Sequence, residues 1–361
     1  VKMARVPFFD AVQDVSAGNV KIPQSAFQPS GALAIVDQGQ QLVAGYTDDT
    51  TTAVKAESPV IVFGDHTRAL KFVDFPFAMG ADGVKVLQTR DSFDAKFVYW
   101  YLRSRPISSV GYSRHFKFLK ETQIPVPPLD EQRRISAILG QADAIRAKRR
   151  LMLDHLDALT QSVFRDMFES GGCSRVRIGA FAEVKSGSTP SRKIIENYGG
   201  GIPWVKTGEV SGKITETSES VSQLGVRSAR LRIFPVGSII IAMYGQGATR
   251  GRSAILGVEA TVNQACAVIV PNGFFDSTFM DVQLKLNYDR LRNYAEGGSQ
   301  PNLSLDRVAK FEVYNPPIDF QREFAYYVKG VTRIRDRVER ALAAGDELFA
   351  SLQYRAFRGE L

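Results

Sequence analysis

Two stretches of the chain carry apolar residues at alternating three- and four-residue steps. In the first they are Ile135, Ile138, Ala142, Ile145, Met152, Leu156, Leu159 and Val163, with Arg149 as the one interruption. In the second they are Phe324, Tyr327, Val331, Ile334, Val338, Ala341, Gly345, Leu348 and Leu352. That spacing is a heptad seam and predicts two long amphipathic helices. Proline is missing from both stretches, while a proline pair stands before each, Pro127-Pro128 and Pro316-Pro317. Neither proline of a pair can donate a hydrogen bond and both fix φ, so the preceding element stops there. Asp130 and Asp319 follow as N-cap candidates. A helix of about 38 residues is roughly 57 Å long at 1.5 Å per residue. Helices so long and one-sided need a partner, and each is available to the other. The expectation is an antiparallel pair. Its interface is assigned to Ile135, Ile138, Ile145, Met152, Leu156 and Leu159, facing Phe324, Tyr327, Val331, Ile334, Val338, Leu348 and Leu352.

The two helices belong to an internal repeat. Pro127-Pro128-Leu129-Asp130-Glu131-Gln132-Arg133 returns as Pro316-Pro317-Ile318-Asp319-Phe320-Gln321-Arg322. The register continues without a gap, through Ile145-Arg146 and Ile334-Arg335, Asp157 and Asp346, and Phe168 and Phe357. Before each helix the pattern changes to short strand-like runs broken by Gly, Pro, Asn and Asp. Val60 to Phe63, Gly83 to Leu87, Ser238 to Ile241 and Ala267 to Val270 are examples. A polar loop follows a strand in each copy, Gly64 to Arg68 and Gly245 to Arg250. A helical run comes later in each, Phe93 to Arg103 and Thr278 to Tyr294. The division expected is a globular segment over 1–125, a helix over 126–171, a second globular segment over 172–315 and a second helix over 316–361. The fold class is α+β, two tandem mixed α/β modules joined by two long helices that form an antiparallel coiled coil, with a pseudo-two-fold internal repeat.

Composition narrows the chemistry. Lys plus Arg is 46 against 38 Asp plus Glu, a formal charge of +8, which favours a polyanionic partner. Two cysteines, Cys173 and Cys266, exclude a disulfide scaffold and a zinc site of Cys pairs. No apolar run reaches the roughly 18 residues of a membrane span. The longest, Val236 to Met243, is strand-length, and the N-terminus lacks a signal-peptide core. A cytoplasmic location is expected.

The residues now carry a resemblance. Ile124-Pro125-Val126-Pro127-Pro128-Leu129-Asp130-Glu131-Gln132, Ser186-Gly187-Ser188-Thr189-Pro190, Gly201 to Glu209 and Asn263-Gln264-Ala265-Cys266 resemble motifs of type I restriction-modification specificity subunits. Val60 to Arg68 and Gly111 to Lys117 resemble that family in the first segment. Phe320 departs from its pattern, standing where a Glu is usual before Gln321. The resemblance implies two target recognition domains reading a bipartite DNA target, with the helix pair setting their separation. It also implies two methyltransferase subunits and restriction-translocase subunits as partners, with S-adenosylmethionine bound by the methyltransferases and no cofactor or catalysis in this chain. A related alternative is the specificity subunit of a type IIB system; a divergent methyltransferase or nuclease is a further one.

Enzyme motifs fit poorly. Asn315-Pro316-Pro317-Ile318 lacks the aromatic that stacks on a flipped base, and its repeat partner lacks the Asn. Glu183-Val184-Lys185 matches only the tail of a nuclease motif, and Gly245-Gln246-Gly247 is no phosphate loop because no Gly-Lys-Ser/Thr follows. Cys266 reads as a small core residue. The candidates for DNA contact in the first segment are Gln40, Tyr46, His66, Thr67, Arg68, Arg114, His115 and Lys117. In the second they are Lys185, Ser188, Thr189, Arg192, Lys206, Thr207, Gln246, Thr249, Arg250 and Arg252. Arg suits guanine or phosphate, Lys suits phosphate, and small polar side chains suit either. Trp204 reads as core, and Lys148-Arg149-Arg150 as a solvated helix face.

Overall fold

A computed structural model describes residues 3–107, 114–294 and 302–361; Gly111 to Ser113 of the motif before the first long helix lie outside them. The chain divides into two compact units, Val1–Leu151 with Glu339–Leu361, and Met152–Val338. Both boundaries fall inside the long helices, whereas the expected segments end at 125, 171 and 315.

The first unit contains strands β1 (Val12–Asp14), β2 (Leu33–Val36), β3 (Val60–Gly64), β4 (Leu70–Val73), β5 (Phe77–Gly80) and β6 (Val84–Thr89) and helix α1 (Ala95–Arg103). The long helix α2 (Leu129–Phe164) starts here. One sheet has the order β1-β6-β3-β4, antiparallel throughout. Another is built on the parallel pair β2 and β5. Period-two alternation sends Ile61, Phe63 and Leu87 towards α1, and Val60, Val62, Val84 and Val86 to the opposite face. Both faces are covered, which is why Val60 to Phe63 is an unbroken apolar run rather than an alternating one.

The second unit repeats the plan with strands β7 (Glu183–Ser186), β8 (Tyr198–Val205), β9 (Ile239–Ala242), β10 (Ser253–Leu256), β11 (Thr261–Val262) and β12 (Cys266–Val270). Its sheet has the order β7-β12-β9-β10, again antiparallel, with Lys213–Ile214 added in parallel at the edge. The parallel pair is β8 and β11. Ile239, Ile241, Ala267 and Ile269 face one core, while Ile240, Ala242, Cys266 and Val268 face the other. Cys266 is buried, and burial pushes its thiol up to about 12, so it is a packing residue. The run Thr278 to Tyr294 is not one helix: α3 (Ser277–Leu286) and α4 (Tyr288–Asn293) are separated at Asn287, whose side chain donates back to the Gln283 carbonyl at 2.8 Å. The second long helix is α5 (Ile318–Ala356).

The repeated glutamine of the proline motif explains how each long helix is seated. Gln132 is fully buried; its amide donates to Pro127 O (2.9 Å) and Ser92 O (3.0 Å), and its oxygen accepts from the Asp94 N–H (2.9 Å). Asp94 in turn caps α1 by accepting from Phe97 N–H. Gln321 does the same in the second unit, donating to Pro316 O (2.7 Å) and accepting from Asp276, the cap of α3. The echo of Gln in both copies is therefore a junction between the long helix and the cap of a shorter one.

The N-cap expectation is corrected. Asp130 and Asp319 lie within the first turn, because the helices begin at Leu129 and Ile318 and the carbonyls of Pro128 and Pro317 accept the first helical N–H groups. Their charge still complements the helix N-terminus, and they pair with Arg133 (3.8 Å) and Arg322 (3.5 Å).

Within each unit the two long helices run antiparallel. In the first unit Arg146 meets Asp346 at 2.5 Å and Arg149 donates to the Ala341 carbonyl at 2.5 Å. In the second, Asp157 pairs with Arg335, and Phe164 packs on Phe324 with ring centroids 5.6 Å apart. Rising numbers on one helix meet falling numbers on the other. The seam itself needs correction: Ile145, Met152, Leu159, Ile334 and Leu348 are 43–57 % exposed. A strict seven-residue repeat drifts by about 20° per heptad on a straight helix. Contacts there run instead through Arg146, Arg149, Ala341 and Asp346. Gly345 leaves room, since a Cβ there would lie 2.8 Å from Arg149 Nη1. The predicted break in the seam is thus a contact point, and Arg149 and Arg150 of the presumed solvated face both bond to α5.

Towards their ends the helices join the module cores. Ile135 and Leu139 pack with Phe349, Ala356 and Phe357 against α1. In the second unit Phe164 and Phe168 pack with Phe324 against Phe279 of α3. Phe168 and Phe357, partners in the repeat, play the same part in opposite units.

Candidate nucleic-acid interface

In the first unit the candidate residues gather around the turn after β3. Asp65 is buried and organises it. Its carbonyl accepts the His115 N–H (2.9 Å) and faces His115 Nδ1 (3.0 Å), while its carboxylate accepts the Phe116 N–H at 2.7 Å. His115 is 1 % exposed, and these bonds make it the peg that fastens 114–119 to the turn. Its neighbours Arg114 and Lys117 are exposed. Thr67 donates its hydroxyl to the Gln38 carbonyl, and His66 N–H donates to the Gln38 side chain at 3.4 Å. Arg68 adopts φ 62°, a left-handed conformation that a non-glycine residue holds only when its surroundings enforce it; its guanidinium donates to Ile107 O at 3.0 Å.

These residues divide between two clefts. His66 and Arg114, with Asn19, Lys21, Asp82 and Lys85, line a polar cleft of about 840 Å³. Gln40, Thr67 and Arg68 line another of about 650 Å³, together with Lys71, Arg103 and Arg105. Tyr46 lines neither; it sits on a short strand beside β2, bonded to Gln28. At the rim of the first cleft burial pushes the Asp14 carboxyl up, but hydrogen bonds from Ser16 and the Lys85 ammonium at 3.0 Å outweigh it, leaving it below the ordinary range.

The second unit carries two groups. Gln246, Thr249, Arg250 and Arg252 lie on the loop after β9, with Gln246 and Arg252 exposed and the other two half-buried. Helix α4 buttresses this loop: Tyr288 donates to the Ala248 carbonyl (2.8 Å), and Arg292 donates to the Arg250 carbonyl (3.3 Å) and to Tyr288 (3.0 Å). Ser188, Thr189, Arg192, Lys206 and Thr207 form the other group, across the loop after β7 and the end of β8. The loop passes so close to β11 that a Cβ on Gly187 would lie 1.6 Å from the Val262 carbonyl oxygen, and only glycine fits. Thr189 bonds to Gln264, which brings two of the quoted sequence motifs together. Trp204 is buried, and its indole N–H donates to Ser188 O at 3.2 Å.

Lys206 and Arg192 share one carboxylate. Glu219 meets Arg192 at 2.5 Å and Lys206 at 2.7 Å, and those bonds hold its carboxyl down at about 2. Lys185, on β7, is tied to Glu183 (3.0 Å), which also takes Arg232 (2.8 Å). Sequence reading missed Asn19, Lys21, Glu219 and Tyr198. An acidic residue among candidate phosphate contacts carries no motif, and the Glu219 pairing joins residues 13 and 27 positions apart.

Two copies of one sheet-and-helix module, each bearing basic loops and each seated by the same Pro-Pro-x-x-x-Gln junction, define a tandem-module protein built on an antiparallel helix pair. Residues 16–152 and 172–343 match the model of the type I restriction modification DNA specificity domain, and the chain belongs to that family. It is similar to the type I restriction enzyme EcoR124I/EcoR124II specificity subunit of Escherichia coli, 23 % identical over 353 residues that cover 90 % of this chain and 85 % of that protein. The MjaIX specificity subunit of Methanocaldococcus jannaschii is 28 % identical over 155 residues, 41 % of this chain and 35 % of that protein. The fold is similar to a type I restriction-modification S subunit from M. genitalium, with TM-score 0.66 and 16 % identity over 99 % of this chain and 96 % of that one. Among the described residues no helix is long and apolar enough to cross a membrane.

Proposed function

We propose that the chain is the specificity subunit of a type I restriction-modification system, a DNA reader without catalysis of its own. The observation that carries this is the duplication: both copies of the module share the order of four antiparallel strands and the same glutamine junction, yet each bears its own basic loops, and the family match covers both. Two unlike readers in one chain suit a bipartite, asymmetric target. Residues 1–125 read one half and 172–315 the other, while the long helices set the spacer. Two methyltransferase subunits dock on the chain and bring S-adenosylmethionine, and the restriction-translocase subunits join that core. The modification subunit, not this chain, extrudes the adenine to be methylated.

The test is modular exchange. Replacing residues 1–125 with the same segment of a related subunit is expected to change one half of the methylated motif and leave the other half and the spacer alone. A change in both halves sinks the division into two readers. Transfer of labelled methyl groups to DNA by the purified chain alone would contradict its non-catalytic role. Alanine at Arg250 is expected to lower binding chiefly for the half read by 172–315, by about 1–3 kcal/mol if the side chain meets a base edge; competition with targets altered in one half at a time reads this out.

A further inference from the structure

We propose that Glu219 is a positioning residue for base reading in the second module. Its carboxylate, with the rings of Tyr198 and Trp204, fixes Arg192 and Lys206 as one oriented pair of donors facing the DNA. The proposal rests on the reading of the chain as a DNA-specificity subunit.

Arg192 is held on two sides. Its guanidinium lies 4.3 Å from the Tyr198 ring centroid and 5.3 Å from that of Trp204, while Nη1 bonds to Glu219 at 2.5 Å. The same two aromatic residues fasten the loop before it, since Tyr198 donates to Pro190 O (2.6 Å) and Trp204 to Ser188 O (3.2 Å). Glu219 is itself fixed: its carbonyl accepts from Trp204 N–H (3.2 Å) and from the Thr217 hydroxyl (2.6 Å). On the far side Glu209 ties down the backbone of Lys206 (2.8 Å) and Ser218 (2.6 Å). Yet the cluster stays open to a ligand, with the Arg192 side chain 55 % exposed and that of Lys206 32 %.

This arrangement is poorly suited to bulk attraction and well suited to reading. A carboxylate between two cations offsets half their charge, so it lowers the gain from releasing counterions. What remains is a guanidinium with a fixed plane and unspent N–H donors. Bidentate recognition of a guanine edge needs such a plane, whereas a phosphate accepts a mobile cation equally well.

The experiment uses the full chain assembled with its methyltransferase subunits. Target duplexes altered one base at a time in each half compete for binding to wild type, Glu219→Ala and Arg192→Lys. Glu219→Ala is expected to bind mixed-sequence DNA at least as well as wild type, with a salt slope steeper by about 0.9 for the cation it frees. Its discrimination in the half read by 172–315 is expected to fall about tenfold, the size of one good bidentate contact. Arg192→Lys keeps the charge, so the same discrimination is lost with the slope unchanged. If either variant keeps wild-type discrimination, the proposal is overturned, and Glu219 is then simply a negative charge near DNA. A wild-type complex that fails to discriminate in either half overturns the DNA-reading function itself, and this inference with it.

Discussion

The residue after the parallel strand β2 is Asp37; the residue after its counterpart β8 is Lys206. The registers of the two parallel pairs, Val36 with Met79 and Val205 with Val262, make these positions equivalent. Asp37 points inward and takes the Lys71 ammonium of β4, at 3.3 Å to its carboxylate and 2.8 Å to its carbonyl, with Lys71 only 5 % exposed. The place of Lys71 in the other copy is held by buried Ala254, as the pairing of each with the neighbouring strand shows. In the second module the charge at the strand end therefore turns outward to Glu219. The connecting loops diverge too, residues 65–69 in the first copy against 243–252 in the second. One scaffold thus keeps its sheet order and its helix junction while charge moves between core and surface at a single position. The difference teaches that a core charge pair at one strand end can be given up for a surface pair at the equivalent strand end while the antiparallel sheet order is kept.

Breaking the inward pair tests that contrast most severely. Asp37→Ala leaves a buried ammonium with only the residue-37 carbonyl of this pair and is expected to cost about 3 kcal/mol in denaturant unfolding, the lower end for a broken buried pair, while Lys71→Met with Asp37→Asn together recover most of it. An Asp37→Ala variant of wild-type stability would show the two strand ends to be alike after all. Phe168→Ala and Phe357→Ala sharpen the shared part of the comparison. Each empties the same place in opposite units, and each is expected to cost about 3–5 kcal/mol. Gln132→Ala and Gln321→Ala should follow at about 1–3 kcal/mol, with faster amide exchange at Asp94 and Asp276, respectively. Ile145→Asp, on the exposed side of the helix pair, should change stability by no more than about 0.5 kcal/mol. The smallest effect concerns pH. Glu219 is held at about 2 against an ordinary 4.5, so its contribution is present above pH 4.5 and is lost as pH falls from 4.5 towards 2. Being half-exposed and screened, it should appear only as a slightly shallower acid limb in Glu219→Ala.

The long helices, the repeat and the apolar strands were legible because periodicity and the proline pairs report local geometry. The burial of His115 was not, since it depends on a bond to Asp65, fifty residues away. Heptad counting placed Ile145 and Leu348 in an interface because apolar spacing alone does not tell which positions the partner helix covers. Gln132 and Gln321 were visible as an echo, but their partners, the caps Asp94 and Asp276, emerge only once the chain is folded. Glu219 gave no signal, because acidic residues in a basic loop region read as solvated surface.

The discontinuity of the first unit has a bearing on biosynthesis. Residues 152–338 are contiguous, so the second unit has all its parts once they have left the ribosome. The first has to wait for residues 339–361, which bring Phe349 and Phe357 to the face of α1. Until then Phe97, Trp100 and Tyr101 lack those covering rings, and a nascent chain halted near residue 338 carries one finished module and one with an open apolar face. Translation from the N-terminus therefore completes the later-encoded module first.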